Sequence, residues 1–125
     1  MCALSPFPHV IIADDDDSVR SLVARVVGRT YRSVQLSLVN DGADALQVFD
    51  QRGADLVITN NQMLTMHGMD LIHALRTRSA TVPILMLSAD RTIAGPALAA
   101  GATQFLLKPF RVPELRQTLL GLLPA

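Results

Sequence analysis

Val10-Ile11-Ile12-Ala13-Asp14-Asp15-Asp16-Asp17 is the stretch on which the reading of this chain turns. Its first half is apolar and largely β-branched, the composition of a strand buried on both faces. Four adjacent carboxylates repel one another and cannot continue such a strand, so it stops at a polar site. In an open α/β sheet, ligands bind where strands end at their carboxyl edges, which puts Asp14 and Asp15 at a candidate site. The plainer reading is a solvated acidic turn that caps the next helix, since charge runs are commonly surface.

Outward from this junction, short apolar runs alternate with helical periodicity. Val19, Leu22, Val23, Val26 and Val27 follow the spacing of an amphipathic helix, with Asp17 as its expected cap and Gly28 as its expected end. Val34, Leu36 and Leu38 alternate with Gln35 and Ser37, the pattern of a half-exposed edge strand. Asn40-Asp41-Gly42 turns into a helix that runs to about Arg52 and stops at Gly53. Leu56–Thr59 is a third strand ending at Asn60, and Met69–Arg78 a helix burying Leu71, Ile72 and Leu75. Ile84–Leu87 is a fourth strand ending at Ser88. A short helix over about Ala94–Ala100 stops at Gly101, and Gln104–Leu107 is a fifth strand ending at Lys108. Pro113 suits the first turn of a last helix through Leu115, Leu119 and Leu122. Five strands each followed by a helix define an α/β chain, (βα)5, with a parallel sheet and helices on both faces. The expected organisation is a single domain over 1–125, its core over about 8–123.

The chain has 125 residues, half of them hydrophobic and 18% charged, a balance that excludes a disordered tail. Eleven basic against eleven acidic residues leave no net field to attract nucleic acid or an acidic membrane. With no Trp and one Tyr there is no base-stacking platform either, so no nucleic-acid binding by this domain alone is expected. The single cysteine, Cys2, can form neither an internal disulfide nor a multi-cysteine metal site. The first eight residues lack the features of a signal peptide, and no apolar run reaches the ~18 residues that span a bilayer. A soluble, cytoplasmic protein is expected. His9, His67 and His73 are too scattered for a metal or phosphotransfer site, and surface or loop roles are expected of them. Met63, Met66 and Met69 are read as loop packing rather than as a soft contact surface.

The strand ends should bring Asp14, Asp15, Asn60, Ser88 and Lys108 to one edge. Two carboxylates, an amide, a hydroxyl and an ammonium suit a hydrated Mg2+ and a phosphoryl group, through hard oxygen ligands and donors to the phosphoryl oxygens. With Met63 through Gly68 after the third strand, Ser88-Ala89 after the fourth and Lys108-Pro109-Phe110 after the fifth, the chain resembles the receiver (CheY-like) domains of two-component response regulators over nearly its whole length. The resemblance implies a doubly wound, flavodoxin-like sheet of strand order 2-1-3-4-5. It also implies Mg2+ held by Asp14, Asp15 and the backbone carbonyl of Gln62, and phosphoryl contacts from Ser88 and Lys108. A cis bond between Lys108 and Pro109, and an aromatic switch at Phe105 that turns inward when Ser88 moves, belong to the same implication.

The third strand of this family ends in the aspartate that accepts a phosphoryl group from a histidine kinase, and here that position holds Asn60. No carboxylate lies between Asp55 and Asp70. An amide oxygen is a poor nucleophile toward phosphorus and cannot form the acyl phosphate. Leu64, where the family usually has Pro, departs in the same direction. Two carboxylates ~4 Å apart at an effective dielectric near 20 repel by roughly 4 kcal/mol, so the neutral amide relieves strain in the metal-free protein. Mg2+ binding should be weak or absent, and Lys108, short of its partner, should turn toward Asp14 or Asp15.

The expected function is a phosphorylation-independent pseudo-receiver in two-component (phosphorelay) signalling, with no catalytic residues. It would act on a protein partner (a histidine kinase, an output domain or another signalling protein) through the fourth helix, fifth strand and fifth helix. Ile93, Ala97, Ala100, Phe105, Arg111 and Arg116 form that surface, and a homodimer is a further option. One alternative is a conventional receiver whose acceptor was substituted or engineered, or which uses a neighbour. The remote one is a phosphatase of the haloacid-dehalogenase type, from the D-x-D-x-[TV] match at Asp15, Asp17 and Val19. That reading lacks the later acidic pair, since only Glu114 follows Lys108.

Overall fold

A computed structural model of the chain describes residues 7–125, so Cys2 and most of the leader reading lie outside the described residues. Strands and helices alternate: β1 (His9–Ala13), α1 (Asp17–Thr30), β2 (Gln35–Val39), α2 (Gly42–Arg52), β3 (Leu56–Asn60), α3 (Gly68–Arg78), β4 (Ile84–Ser88), α4 (Ala94–Ala100), β5 (Gln104–Leu107) and α5 (Val112–Leu122). A single 3-10 turn, Arg91–Ile93, precedes α4. The strands form one parallel sheet in the order β2-β1-β3-β4-β5, as expected for a CheY-like, flavodoxin-type fold. The chain leaves β1 toward β2 on one side and returns to β3 on the other. The crevice where the order reverses therefore opens at the carboxyl ends of β1 and β3.

Burial follows the period of two that a strand imposes. Val10 and Ile12 of β1, Leu56 and Ile58 of β3, and Leu85 and Leu87 of β4 face α1 and α5, meeting Val23, Val26, Val27, Leu115 and Leu119. Ile11, Val57, Ile84 and Met86 face the other way, against Ala45, Leu71, Ile72, Leu75 and Ala97 of α2, α3 and α4. Each large apolar side chain sealed between these layers contributes roughly 1.5–3 kcal/mol. β2 is the half-exposed edge that its alternation suggested, with Leu38 47% exposed.

Three local expectations are corrected. Asp16, not Asp17, caps α1: its backbone is extended and its carboxylate accepts from the N–H groups of Ser18 at 2.8 Å and Val19 at 3.1 Å. Asp17 already lies in the first turn, ion-paired with Arg20. Gly28 does not end α1, which continues to Thr30. Burial of Val27 and Tyr31 holds the last turn down, and the Tyr31 N–H donates to the Val27 carbonyl at 3.0 Å. Finally, α3 starts one residue early, at Gly68. Gly53 and Gly101 do end their helices, with φ of 67° and 122°, a region that L side chains rarely adopt.

Candidate functional site

The site forms because β1, β3, β4 and β5 end level with one another in a parallel sheet. Asp14 is buried at the tip of β1. One of its carboxylate oxygens accepts from the Asp16 N–H at 2.9 Å and the other from Lys108 Nζ at 3.2 Å. Arg20 reaches back from α1 to the Asp14 backbone carbonyl at 2.7 Å, which ties the acidic junction to the helix that follows it.

Asn60 links the remaining groups. Its Oδ1 accepts from Lys108 Nζ at 3.2 Å, while its Nδ2 donates to Asp15 Oδ1 at 3.3 Å and to the Gln62 carbonyl at 3.0 Å. This orientation of the amide is the only one its neighbours accept. Reversing it would set an NH2 against an ammonium and an oxygen against two acceptors. Lys108 therefore turns toward Asp14, as expected, but it also keeps Asn60 as a partner, because an amide oxygen still accepts from an ammonium. The peptide bond from Lys108 to Pro109 is cis.

Ser88 is buried at the tip of β4, its Oγ accepting from the Asp90 N–H at 3.1 Å, and its carbonyl accepts from the Lys108 N–H at 2.9 Å. Asn60, Gln62, Ser88, Ala89 and Lys108 line a shallow pocket of about 190 Å3. Phe105 is not part of it. It lies two residues before the end of β5, paired in register with Met86 and half-buried against the α2–α4 side of the sheet.

Asp41 is the residue that periodicity did not single out for the site. It caps α2 through the Ala43 N–H at 2.9 Å and also holds the β3–α3 loop, accepting from Thr65 N–H at 2.7 Å and Met66 N–H at 3.2 Å. Burial alone would raise its carboxyl, but backbone N–H donors from Thr65, Ala43, Met66 and Leu64 outweigh it and hold the pKa below the usual carboxylate value. Met66 O in turn accepts from Gly42 N–H at 3.1 Å. The loop bearing Gln62 is thus clamped to α2. An acidic residue in an Asn-Asp-Gly turn signals a cap, but nothing local signals the loop 24 residues away.

Other expected residues fall as follows. Met63 is buried and donates its N–H to His67 Nδ1 at 3.0 Å, so the methionines do pack the loop, whereas Leu64 stands 93% exposed. His73 is exposed, but His9 is a buried strand residue rather than a surface one. Its ring contacts Gly53 O at 2.8 Å and Ser37 Oγ at 2.7 Å, and burial pushes its pKa below the ordinary histidine value. Ala97 is fully buried under α4, because α4 turns that face to the sheet, and it drops out of the expected contact surface. Ile93, Ala100 and Phe105 are half-buried, and Arg111 and Arg116 are exposed.

The response regulator receiver domain model matches residues 10–120. This chain belongs to that family. The transcriptional regulatory protein PrrA of Mycobacterium leprae is 34% identical over 112 residues, 86% of this chain and 46% of PrrA. The sensor histidine kinase TmoS of Ectopseudomonas mendocina is 34% identical over 113 residues, 87% of this chain and 11% of TmoS. The chain thus spans half or less of the length of these relatives. The chemotaxis response regulator CheY4 of Vibrio cholerae superposes with a TM-score of 0.83 at 28% identity, covering 94% of this chain and 99% of CheY4.

Receiver domains typically bind Mg2+ at the acceptor site, and here the oxygens of Asp14, Asp15 and Gln62 that would hold it accept from the protein's own donors. Among the described residues no group of three His, Cys, Asp or Glu side chains is placed to hold a metal. Asp15 Oδ1 and the Gln62 carbonyl both accept from one amide nitrogen, and Asp14 Oδ2 accepts from an ammonium. Among the described residues no helix is long and apolar enough to cross a membrane.

Proposed function

We propose that this receiver domain works without phosphorylation, as a pseudo-receiver whose protein partner reads one fixed conformation in a two-component pathway. A single observation carries the reading: the Asn60 amide donates to Asp15 and Gln62 while accepting from Lys108. One neutral group meets both the acceptors and the donor of the site. A carboxylate at this position could accept from Lys108 but could not donate, and Asp15 and Gln62 would then call for a cation. The amide also lacks the anionic oxygen that attack on phosphorus needs. Asn60 is the acceptor-equivalent position in this reading, with Ser88, Phe105 and Lys108 as the groups that would otherwise sense the phosphoryl. Mg2+ at Asp14, Asp15 and Gln62 is weak or absent.

Half-buried Ile93, Ala100 and Phe105 with exposed Arg111 and Arg116 support the face of α4, β5 and α5 as the place a kinase, an output domain or another signalling protein would read. The test is the amide spectrum of the chain in Mg2+ and beryllofluoride, a phosphoryl mimic. The reading expects no change around residues 60 and 88 in this chain and large changes there in Asn60→Asp. Saturable changes in the unaltered chain would overturn it.

A further inference from the structure

His9 is the first residue of β1 and so stands at the amino edge of the sheet, the opposite edge from Asn60. Its ring makes two directional contacts, Nδ1 at 2.8 Å from the Gly53 carbonyl oxygen and Nε2 at 2.7 Å from Ser37 Oγ. A carbonyl only accepts, so Nδ1 bears the proton and donates to Gly53. The Nε2 lone pair is left to accept from the Ser37 hydroxyl. Burial, which pushes the His9 pKa below the ordinary histidine value, keeps the ring neutral in that role. Among the described residues no other histidine ring meets a hydroxyl: His67 accepts from the Met63 N–H, and His73 is exposed.

A nucleophile, a base within hydrogen-bond reach and a third group that fixes the base are what activates a serine hydroxyl. The third group here is a main-chain carbonyl, from the positive-φ glycine that ends α2. The Asp55 carboxylate accepts from the His9 N–H at 2.8 Å and brings negative charge near the ring, which favours an imidazolium forming there. Arg52 Nη1 lies 3.5 Å from Ser37 Oγ, a cation placed where negative charge would grow on an attacked carbonyl oxygen. Its Nη2 donates to Gln35 Oε1 at 2.6 Å, which holds the guanidinium in place. Beside the pair lies a cavity of about 330 Å3, bounded by His9, Gln35, Arg52 and Asp55. Ser37 itself is only half-buried on the edge strand β2.

We propose that Ser37 is a nucleophile activated by His9, and that the cavity beside them seats a small acyl donor with an oxygen leaving group. Ser37 Oγ attacks the acyl carbon while the hydroxyl proton passes to His9 Nε2. The bond from that carbon to the leaving oxygen then breaks, and the leaving oxygen takes the proton back from Nε2. An ester remains on Ser37, a stoichiometric modification of the chain. The Gly53 carbonyl acts through His9 alone and is a positioning group.

The probe is p-nitrophenyl acetate, with nitrophenolate release followed by absorbance and the acetyl group located by peptide mass mapping. The expected result is one acetyl group, on Ser37, formed at a rate that rises with pH as His9 loses its proton and then levels off. Ser37→Ala should abolish it, and His9→Gln should slow it by about a hundredfold or more, the usual loss with a general base. Arg52→Gln should give an independent loss. Circular dichroism checks that each variant is folded. The Ser37 and Arg52 side chains are half-buried and exposed, so these two variants keep the test decisive should His9→Gln fail to fold. The proposal is overturned by the absence of acetyl on Ser37, by equally fast acetylation of the exposed Ser21 and Ser33, or by an unchanged rate in folded His9→Gln. Asn60 lies at the other edge of the sheet, so this outcome stands apart from that of the phosphoryl-mimic experiment.

Discussion

Lys108 Nζ lies 3.2 Å from the amide oxygen of Asn60 and also 3.2 Å from a carboxylate oxygen of Asp14. The sole lysine of the chain therefore bridges the ends of β1, β3 and β5. Asp14 is almost fully buried, so this ammonium is the main compensation for a charge withdrawn from water. Lys108→Met is expected to lower stability by about 2 kcal/mol, the usual cost of losing a hydrogen bond to a charged group, in urea unfolding followed by circular dichroism.

Asn60→Asp converts a donor to Asp15 into a second carboxylate beside it. Two such charges ~4 Å apart repel by roughly 4 kcal/mol at an effective dielectric of 20, only partly offset by Lys108. The variant is expected to melt below the parent in chelator and to gain Tm with millimolar Mg2+, while the parent gains little. A Mg2+-dependent rise of equal size in both proteins would show that the amide does not keep the ion out.

Asp41 gives the fold an acid-sensitive joint. Its carboxyl pKa is held low in the folded protein by backbone donors, so the unfolded chain takes up the proton first as pH falls. The contribution is full above the unfolded value of about 3.9 and is lost as pH falls through the folded value. Asp41→Asn should flatten the stability profile in that window. Asp41→Ala should cost about 1–3 kcal/mol at neutral pH through the lost cap and the released loop.

His9 adds a second, milder window. Burial disfavours its imidazolium, so the unfolded chain is protonated first as pH drops below about 6.5, and stability declines from there toward the lowered folded pKa. His9→Gln is expected to remove this slope while leaving the lower one. Tyr31 works at the other end: burial pushes its pKa up to about 12, so its contribution is present below the unfolded value of ~10 and fades as pH rises through 12. Tyr31→Phe should abolish that alkaline loss and cost about 0.5–1.5 kcal/mol at neutral pH.

Gly68 is required by contact rather than by backbone angle. A Cβ there would stand 2.2 Å from the Asn60 carbonyl oxygen and 2.8 Å from the Met86 side chain. Gly68→Ala is therefore expected to destabilise by about 1–3 kcal/mol despite the better helix propensity of Ala, and to shift the amide resonances of residues 60–63.

The alternation of strands and helices, and the residues at the strand tips, were legible because both depend on local pattern. Val10–Ala13 could hardly be anything but a buried strand, and Gly53 and Gly101 stop their helices where the backbone takes a positive φ. What escaped the sequence is set by contacts between distant segments. Asp41 reaches across to Thr65, Gly68 yields space to Asn60, and α4 turns Ala97 inward. The choice of Asp16 over Asp17 as cap rests on one residue's backbone torsion inside a run of identical side chains. Lys108 was expected to leave Asn60, yet an amide keeps an acceptor oxygen, and the second partner survived.

Intact-mass spectrometry of the chain after incubation with a small phosphodonor and Mg2+ tests the proposed phosphorylation-independent receiver without intermediaries. No added phosphoryl mass is expected on the chain as it stands, against a stoichiometric, hydroxylamine-labile gain on Asn60→Asp. A stoichiometric, hydroxylamine-labile phosphoryl group on the unaltered chain would contradict it.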